Sequence, residues 1–256
     1  RLTRPAIGIL RVVERLAASW ADVVITVHEP YRRELVRRGV RTEKLRVVMN
    51  SLDESLLPTP LTRKHEGGFR IVYHGTVTPH YGVHLLVEAV AMIAQRVPEA
   101  RLEIYGDGDA VRGLRASAHE LDLQNVIDFE PRFMPQRDVL ARVHHAAVGV
   151  VPNLPIQLNR YALSSKLFEY VMLGIPVVSA DLPTLREYFA DDEVLFFKAG
   201  DAHALADALV AVATDPNRAV RRAEAARRRY EAYRWPRSAA RYRDVLETLS
   251  HTPPSP

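Results

Sequence analysis

Short β-branched runs alternate with stretches of helical apolar spacing from residue 70 to residue 213. The runs are predicted to be buried strands, because they are too short and too apolar for surface helices. Strands are predicted at 70–74, 101–105, 126–130, 147–152, 176–180 and 194–197, and helices at 82–96, 110–121, 135–145, 165–173, 182–190 and 202–213. This alternation indicates an α/β fold with a parallel, doubly wound sheet. Ligands of such sheets bind at the carboxyl ends of the strands, so we expect a site beside the first and fourth strands.

The first 50 residues follow the same alternation but are too few for a domain. The predicted elements are a helix at 6–19, a strand at 21–27, a helix at 29–38 and a strand at 45–49. Two strands do not form an independently stable sheet. Because the sequence also begins with Arg rather than Met, we expect residues 1–57 to be the end of a domain that starts upstream.

The rest of the chain divides into a linker, a domain and a closing segment. Residues 58–69 are a polar linker with two Pro and two Gly, and residues 70–214 form the alternating domain. Residues 215–250 contain two further predicted helices, at 217–233 and 237–249. The tail, residues 251–256, is predicted to be disordered.

Composition excludes several classes of protein. The chain has 256 residues, of which 47% are hydrophobic and 26% charged, as in ordinary globular proteins. The absence of Cys excludes disulfides, thiolate zinc sites and thiol nucleophiles, and it fits a reducing compartment. No window of about 18 apolar residues is present, so no membrane span is predicted. We therefore expect a cytoplasmic location.

Positive charge is concentrated at the two ends of the chain. Residues 1–50 carry 11 basic and 5 acidic residues, a net charge of +6, and residues 215–256 carry 10 and 5, a net charge of +5. Residues 51–214 carry 14 basic and 21 acidic residues, a net charge of −7. Neither end shows a basic stripe interleaved with aromatic residues or a nucleic-acid-binding motif, so no nucleic-acid partner is predicted.

Two loops that follow predicted strands contain glycine. The loop Gly75–Gly82 precedes a helix, where glycine allows close backbone approach and helix amides favour an anion. An ordinary strand-to-helix turn is the alternative. The loop Gly106-Asp107-Gly108 begins like a dinucleotide-binding fingerprint, but Val111 takes the place of the third glycine. A tight turn is therefore the preferred interpretation of this second loop.

The most informative segment is the polar loop from residue 159 and the helix that follows it. Ser164 or Ser165 is predicted to cap the helix, and Lys166 lies in its first turn, where the helix dipole disfavours a cation unless an anion is bound. Glu169 follows about one turn later. These residue types suit a diphosphate and the hydroxyls of a ribose. The alternative is an ion pair between Lys166 and Glu169 on a solvated helix.

The segment Ser165–Val178 resembles the nucleotide-sugar site of retaining GT-B glycosyltransferases of family 4. The resemblance extends over nearly the whole chain. The other similar segments are Ala21–Val27 with Pro30, Val47–Asn50, Tyr73–Gly82, Tyr105–Gly108, Leu121–Phe129 and Tyr233–Val245.

The resemblance implies a GT-B fold of two Rossmann-like domains, each a parallel sheet with helices on both faces. Residues 70–214 would bind a nucleoside diphosphate sugar donor. Residues 1–57 would end the N-terminal domain, toward which residues 215–250 would return. A glycan or lipid-linked acceptor would bind between the domains. No cofactor and no metal are implied, because helix amides and basic side chains would neutralise the diphosphate.

The resemblance also implies roles for individual residues. Glu169 would bind the ribose hydroxyls, Gly75 and Thr76 would approach the phosphates, and Ser165 and Lys166 would lie at the phosphate-binding helix start. The loop 131–133 would border the base. The full set of implied nucleotide-sugar contacts is Gly75, Thr76, His80, Tyr81, Arg132, Phe133, Arg160, Tyr161, Ser165, Lys166 and Glu169.

The chain departs from the family pattern at three of these positions. Tyr161 stands where the family often has a second Glu, and Thr76 and Tyr81 stand where it often has Arg and Lys. Lys166, together with Arg160 and His80, is the available substitute for the missing cations. No catalytic residue is assigned, because the family's catalytic-site His belongs to the N-terminal domain. His144, His145 and His203 lie at helix ends and are given structural roles.

The expected function is therefore that of the donor-binding part of a metal-independent glycosyltransferase. One alternative is a non-catalytic nucleotide-sugar-binding module that works with a separate N-terminal partner. Another is a GT-B nucleotide-sugar epimerase. The Arg-rich helix at 218–229 is interpreted as a solvated face, and the alternative is that the two basic ends meet anionic lipid on the inner face of the membrane.

Overall fold

The computed structural model describes residues 4–58 and 67–251. These residues cluster into two compact units, one formed by the residues up to Ser51 and those from Ala232 onward, the other by Leu52–Glu231. Residues 59–66 of the predicted linker and residues 252–256 of the predicted tail lie outside the described residues.

Helices and strands alternate along most of the chain. In chain order they are α1 (Arg4–Trp20), β1 (Val24–Thr26), α2 (Glu29–Arg37), β2 (Leu45–Val47), β3 (Phe69–His74), α3 (Val83–Ile93), β4 (Ala100–Tyr105), α4 (Val111–Glu120), β5 (Ile127–Glu130), α5 (Gln136–Val143), β6 (Val148–Val151), α6 (Ser165–Met172), β7 (Val177–Ala180), α7 (Pro183–Arg186), β8 (Leu195–Phe197), α8 (Ala202–Thr214), α9 (Pro216–Tyr230) and α10 (Trp235–His251). Every helix and strand predicted from the sequence is confirmed, with ends that differ by a few residues. The largest difference is α7, because hydrogen bonds from residue i+3 to residue i tighten the chain at Glu187 and Tyr188 and end the helix early.

The first unit contains α1, β1, α2, β2 and α10. Its two strands pair in parallel, with Val24 opposite Leu45 and Thr26 opposite Val47. The predicted order of helix, strand, helix and strand is thus confirmed. No helix in the described part of the chain combines the length and the apolar character needed to cross a membrane.

Helix α1 contacts α2 through its polar side. Arg15 donates through Nε to the carbonyl of Arg38 (2.7 Å), and Glu14 accepts from the guanidinium of Arg38 (3.1 Å). Of the apolar side chains that predicted this helix, Leu10, Val13 and Leu16 are each more than half exposed. Apolar spacing therefore predicted the helix correctly but not the side that packs on α2.

The second unit is built on one parallel sheet with strand order β5-β4-β3-β6-β7-β8. The chain adds strands in one direction from β3 to β5, and in the other from β6 to β8. The direction reverses between β3 and β6, where Ile71 lies opposite Val148. Right-handed crossovers in opposite directions place α3 and α4 on one face and α6 on the other. The predicted α/β fold with helices on both faces of a parallel sheet is confirmed.

A glycine in β6 lets α6 pack closely on the sheet. A Cβ atom at Gly149 would lie 2.5 Å from the ring of Tyr170, which belongs to α6 and is fully buried. The hydroxyl of Tyr170 donates to the carbonyl of Val72 in β3 (3.4 Å). This contact fixes the distance between α6 and the strands at the point of chain reversal.

We predict that G149A destabilises the second unit by about 1–3 kcal/mol, because the added methyl group overpacks a core that has no free space. The measurement is urea unfolding of the chain. The control is G113A in α4, where a Cβ atom meets nothing within 4 Å. G113A is expected to be neutral or to stabilise the helix by up to about 1 kcal/mol. Equal stabilities of G149A and wild type would contradict this account of the packing.

Candidate functional site

A cavity of about 500 Å³ opens in the second unit at the carboxyl ends of β3 and β4. Its lining comes from the ends of these two strands and the residues after them, from the loop after β5 and from the beginnings of α5 and α6. It therefore lies beside the point of chain reversal, where doubly wound sheets bind their ligands.

Glycines bring the two loops of this cavity into direct backbone contact. Gly75 follows β3 with a φ of 100°, and its N–H donates to the carbonyl of Tyr105 (2.9 Å). A Cβ atom at Gly106 would lie 2.1 Å from the carbonyl oxygen of Gly75, and one at Gly108 would lie 2.1 Å from that of Val77. Glycine is therefore required at both positions of the second loop because the backbone of the first loop packs against it. The tight-turn interpretation did not include this packing.

Glu169, in the second turn of α6, is a buried carboxylate with two partners. Its Oε2 lies 3.0 Å from Nε2 of His74, and its Oε1 accepts from Nε2 of Gln136 (3.1 Å). Burial alone would raise the pKa of Glu169. The close approach of His74, the charge of Lys166 and the hydrogen bond from Gln136 outweigh that effect and hold the pKa below its usual value. Glu169 is therefore ionised at neutral pH.

Lys166 is a buried cation in the first turn of the same helix. Its Nζ lies 4.8 Å from the ring centre of Tyr81 and 5.3 Å from that of Tyr73, and it faces Gly75. Within the described residues, Nζ makes no ion pair. Burial lowers the pKa of Lys166, and the nearby charge of Glu169 opposes this shift. The alternative of a Lys166–Glu169 ion pair on a solvated helix is therefore wrong.

The beginning of α6 faces the cavity through Ser165 and Lys166. Ser164 occupies the N-cap position, but its side chain makes no capping hydrogen bond, so the prediction of a Ser cap is wrong in that respect. The N–H of Leu167 instead donates to the carbonyl of Ser164 (3.2 Å). Backbone N–H groups that no side chain caps are suited to an anion.

The structure brings most of the sequence-predicted contacts together. Eight of the eleven line the cavity, namely Gly75, Thr76, Tyr81, Arg132, Phe133, Ser165, Lys166 and Glu169. The other three, His80, Arg160 and Tyr161, are not among the residues that line it. The ring of His80 contacts the hydroxyl of Thr78, and Arg160 is exposed near the ring of Tyr161. Of the three proposed substitute cations, Lys166 alone is therefore at the cavity.

Sequence reasoning missed several residues that line the cavity. They are His74, Tyr105, Gly106, Asp107, Met134, Gln136 and Val139. The signal for His74 was available, because a polar residue follows the run Ile71-Val72-Tyr73 directly before Gly75. Gln136 carried no comparable signal, since it begins a helix whose next residues, Arg137 and Asp138, are polar as well.

The other histidines considered from the sequence lie outside this cavity. His144 and His145 follow α5 with their rings 5.1 Å apart, and His203 is exposed on α8. Within residues 4–58 and 67–251, no group of three or more His, Cys, Asp or Glu side chains is arranged to hold a metal ion.

The state of Glu169 predicts a pH dependence of stability. The pKa of Glu169 is lower in the folded chain than its ordinary value of 4.5, so the carboxylate stabilises the fold above pH 4.5. This contribution is lost as the pH falls through the folded-state pKa. In urea unfolding, the stability of wild type relative to E169Q should be constant above pH 4.5 and decrease below it. A relative stability that rises on acidification would contradict the assignment.

The profile of the family described as glycosyl transferases group 1 matches residues 61–229. This chain belongs to that family. Two curated relatives illustrate the match. Phosphatidyl-myo-inositol mannosyltransferase of Mycobacterium tuberculosis is 31% identical over 67% of this chain and 45% of its own length. Glycogen synthase of the same species is 25% identical over 86% of this chain and 52% of its own length. This chain thus spans about half the length of the curated relatives it matches.

Solved structures of other proteins have the same fold as this chain. HepE (Alr3699) of Anabaena, in complex with UDP and glucose, matches with a TM-score of 0.73 at 19% identity, over 96% of this chain and 67% of HepE. Sucrose-phosphate synthase of Thermosynechococcus elongatus matches with a TM-score of 0.73 at 23% identity, over 94% of this chain and 62% of its own. The predicted resemblance to GT-B glycosyltransferases is confirmed.

Proposed function

We propose that this chain is the donor-binding part of a retaining glycosyltransferase that uses a nucleoside diphosphate sugar. One observation carries the proposal. A buried cation without an ion pair among the described residues, Lys166, and a buried carboxylate, Glu169, lie one turn apart at a helix start that faces a cavity at the point of chain reversal. Burying the Lys166 charge is costly unless an anion pairs with it, and the Glu169 carboxylate keeps acceptor positions that a ligand can use.

Lys166 and the beginning of α6 form the proposed diphosphate site. A diphosphate there would accept from the first N–H groups of α6 and from Nζ of Lys166. Gly75 leaves the space above Nζ free, because a Cβ atom at that position would lie 3.2 Å from Nζ. The acidic composition of the domain makes these local groups decisive, since its overall field repels an anion. The proposal needs no metal to neutralise the leaving group.

Glu169 is the proposed partner of the ribose. An ionised carboxylate accepts about four hydrogen bonds; Gln136 donates one of them, and His74 approaches a second acceptor position at 3.0 Å. Two acceptor positions remain for the two vicinal hydroxyls of a ribose. The base would lie toward Arg132 and Phe133, where the Phe133 ring is 94% exposed and offers a face for stacking.

Relatives support the class of reaction but leave the acceptor to the rest of the protein. The HepE structure contains UDP and glucose, and one curated relative is a phosphatidyl-myo-inositol mannosyltransferase. We propose a glycan or lipid-linked acceptor that binds against an N-terminal domain, of which residues 1–57 are the end. Contact of the basic segments with anionic lipid at the inner face of the membrane stays a prediction, as does the cytoplasmic location.

Calorimetric titration of the chain with UDP, GDP and ADP tests the proposal. We expect one of the three to bind with a stoichiometry of about one, through the diphosphate and ribose contacts that all three share, while differences among them report on the base. Uridine and inorganic phosphate, each carrying half of the recognised groups, should bind much more weakly than UDP. Absence of binding by all three diphosphates to the folded chain would overturn the proposal.

A further inference from the structure

His74 holds Glu169 from the buried side of the cavity. Its ring is almost fully buried at the end of β3, paired in register with Tyr105, and the ring of Tyr170 packs edge-on against it at 5.0 Å. Strand and core packing therefore fix the imidazole. Nε2 of His74 lies 3.0 Å from Oε2 of Glu169, a close polar contact that does not meet hydrogen-bond geometry. Because the ionised carboxylate only accepts hydrogen bonds, a hydrogen on Nε2 makes this contact attractive.

Gln136 approaches the same carboxylate from the open side. Its side chain is exposed at the beginning of α5, and it donates to Oε1 at 3.1 Å. An exposed side chain with several rotatable bonds exchanges readily with water or with a ligand, whereas a buried imidazole held by packing does not. Of the two partners, His74 is thus the one that fixes the direction of the carboxylate.

We propose that His74 is a positioning residue, whose Nε2–H orients Glu169 so that the remaining lone pairs of the carboxylate face the vicinal hydroxyls of the donor ribose. This inference rests on the proposed function. His74 acts through Glu169 and does not itself touch the ribose. Its effect on binding is therefore confined to ligands that carry ribose hydroxyls.

The test is a cycle that compares wild type and H74F with two ligands by calorimetry, with one rescue variant and one control variant. The ligands are the nucleoside diphosphate that binds wild type (UDP, GDP or ADP) and its 2′,3′-dideoxy counterpart. H74F removes the donor and keeps the ring, and H74Q restores an amide N–H near the position of Nε2. H203F is the matched control, because His203 is exposed on α8 and outside the cavity lining.

We expect H74F to weaken binding of the ribose nucleotide by about tenfold or more, since the close polar contact that directs the charged carboxylate is lost. Its affinity for the dideoxy nucleotide should change by less than about twofold, since no hydroxyl is left to be positioned. H74Q should recover most of the loss, and H203F should match wild type with both ligands.

Equal losses with both ligands in H74F would overturn the inference and leave the proposed function standing. Failure of wild type to bind any diphosphate would instead overturn the proposed function itself. If H74F does not fold, the same cycle is run with H74N, whose shorter amide does not reach Glu169. Equal losses with both ligands in H74N would then overturn the inference, and a loss confined to the ribose nucleotide would support it.

Discussion

E169Q is expected to weaken binding of the nucleoside diphosphate by about 30-fold or more. In the proposed complex the carboxylate accepts from two ribose hydroxyls, and each hydrogen bond to a charged acceptor contributes about 1.5–3 kcal/mol. Glutamine keeps the shape of the side chain but has one acceptor oxygen and no charge. It also presents an N–H₂ group that has to be placed beside His74 or Gln136, the two side chains that approach the Glu169 carboxylate in the wild type.

The control for this prediction is chemical. The 2′,3′-dideoxy diphosphate should bind E169Q and wild type with similar affinity, because it lacks the hydroxyls that the carboxylate recognises. Calorimetric titration of both proteins with both ligands gives the four affinities. An equal loss of affinity for the ribose and dideoxy nucleotides in E169Q would contradict the proposal that Glu169 binds the ribose hydroxyls.

K166M should produce the second large effect, a loss of nucleoside diphosphate binding together with a gain in stability. Without Nζ, the diphosphate loses its buried cation, and we expect affinity to fall by about 100-fold. The free chain should become more stable by about 1 kcal/mol, because methionine removes a desolvated charge that has no ion-pair partner among the described residues. Titration with UDP, GDP and ADP and urea unfolding measure the two effects.

The matched control for K166M is K198M. Lys198 is 81% exposed and pairs with Asp201 at 3.5 Å, outside the cavity lining. K198M removes the same charge from the chain, so it separates a local effect from one of overall charge. We expect its affinity for nucleotides to match wild type. A K166M chain that binds the diphosphate as tightly as K198M does would contradict the proposed role of Lys166.

The fold of the second unit was predictable because the strands at the centre of its sheet are buried on both faces. Strands β6 and β7 consist almost entirely of apolar and small residues, and polar or glycine-rich loops separate them from the helices. This pattern specifies the order of elements along the chain and, through the crossover rule, the position of the site. The first unit was less predictable, since apolar spacing in α1 does not tell which side α2 contacts.

The candidate site was predictable only in part. Residues of α6 and of the first loop, such as Glu169 and Gly75, were identified from local pattern and family resemblance. His74 and Gln136 were missed, because their approach to Glu169 joins β3, α5 and α6, which are distant in sequence. The exposure of Arg160 was also not predictable, since the course of the loop after β6 depends on tertiary contacts.

One of these contacts is the amide of Asn159, which donates to the carbonyls of His80 (2.7 Å) and Leu154 (2.9 Å). Asn159 is fully buried. Its hydrogen bond to His80 holds the loop after β6 against the end of the loop Gly75–Gly82. This hydrogen bond involves the backbone carbonyl of His80, and the ring of His80 is not part of the cavity lining. No local pattern in the sequence predicts this hydrogen bond, because it joins residues that are distant in sequence.

The measurement that tests the central claim most directly is a crystal structure of the chain with the bound nucleoside diphosphate. The account predicts ribose hydroxyls within hydrogen-bond distance of the Glu169 carboxylate, and a diphosphate at the beginning of α6 within reach of Nζ of Lys166. A nucleotide bound in solution but seated away from this cavity, or seated with its phosphates away from Lys166, would contradict it.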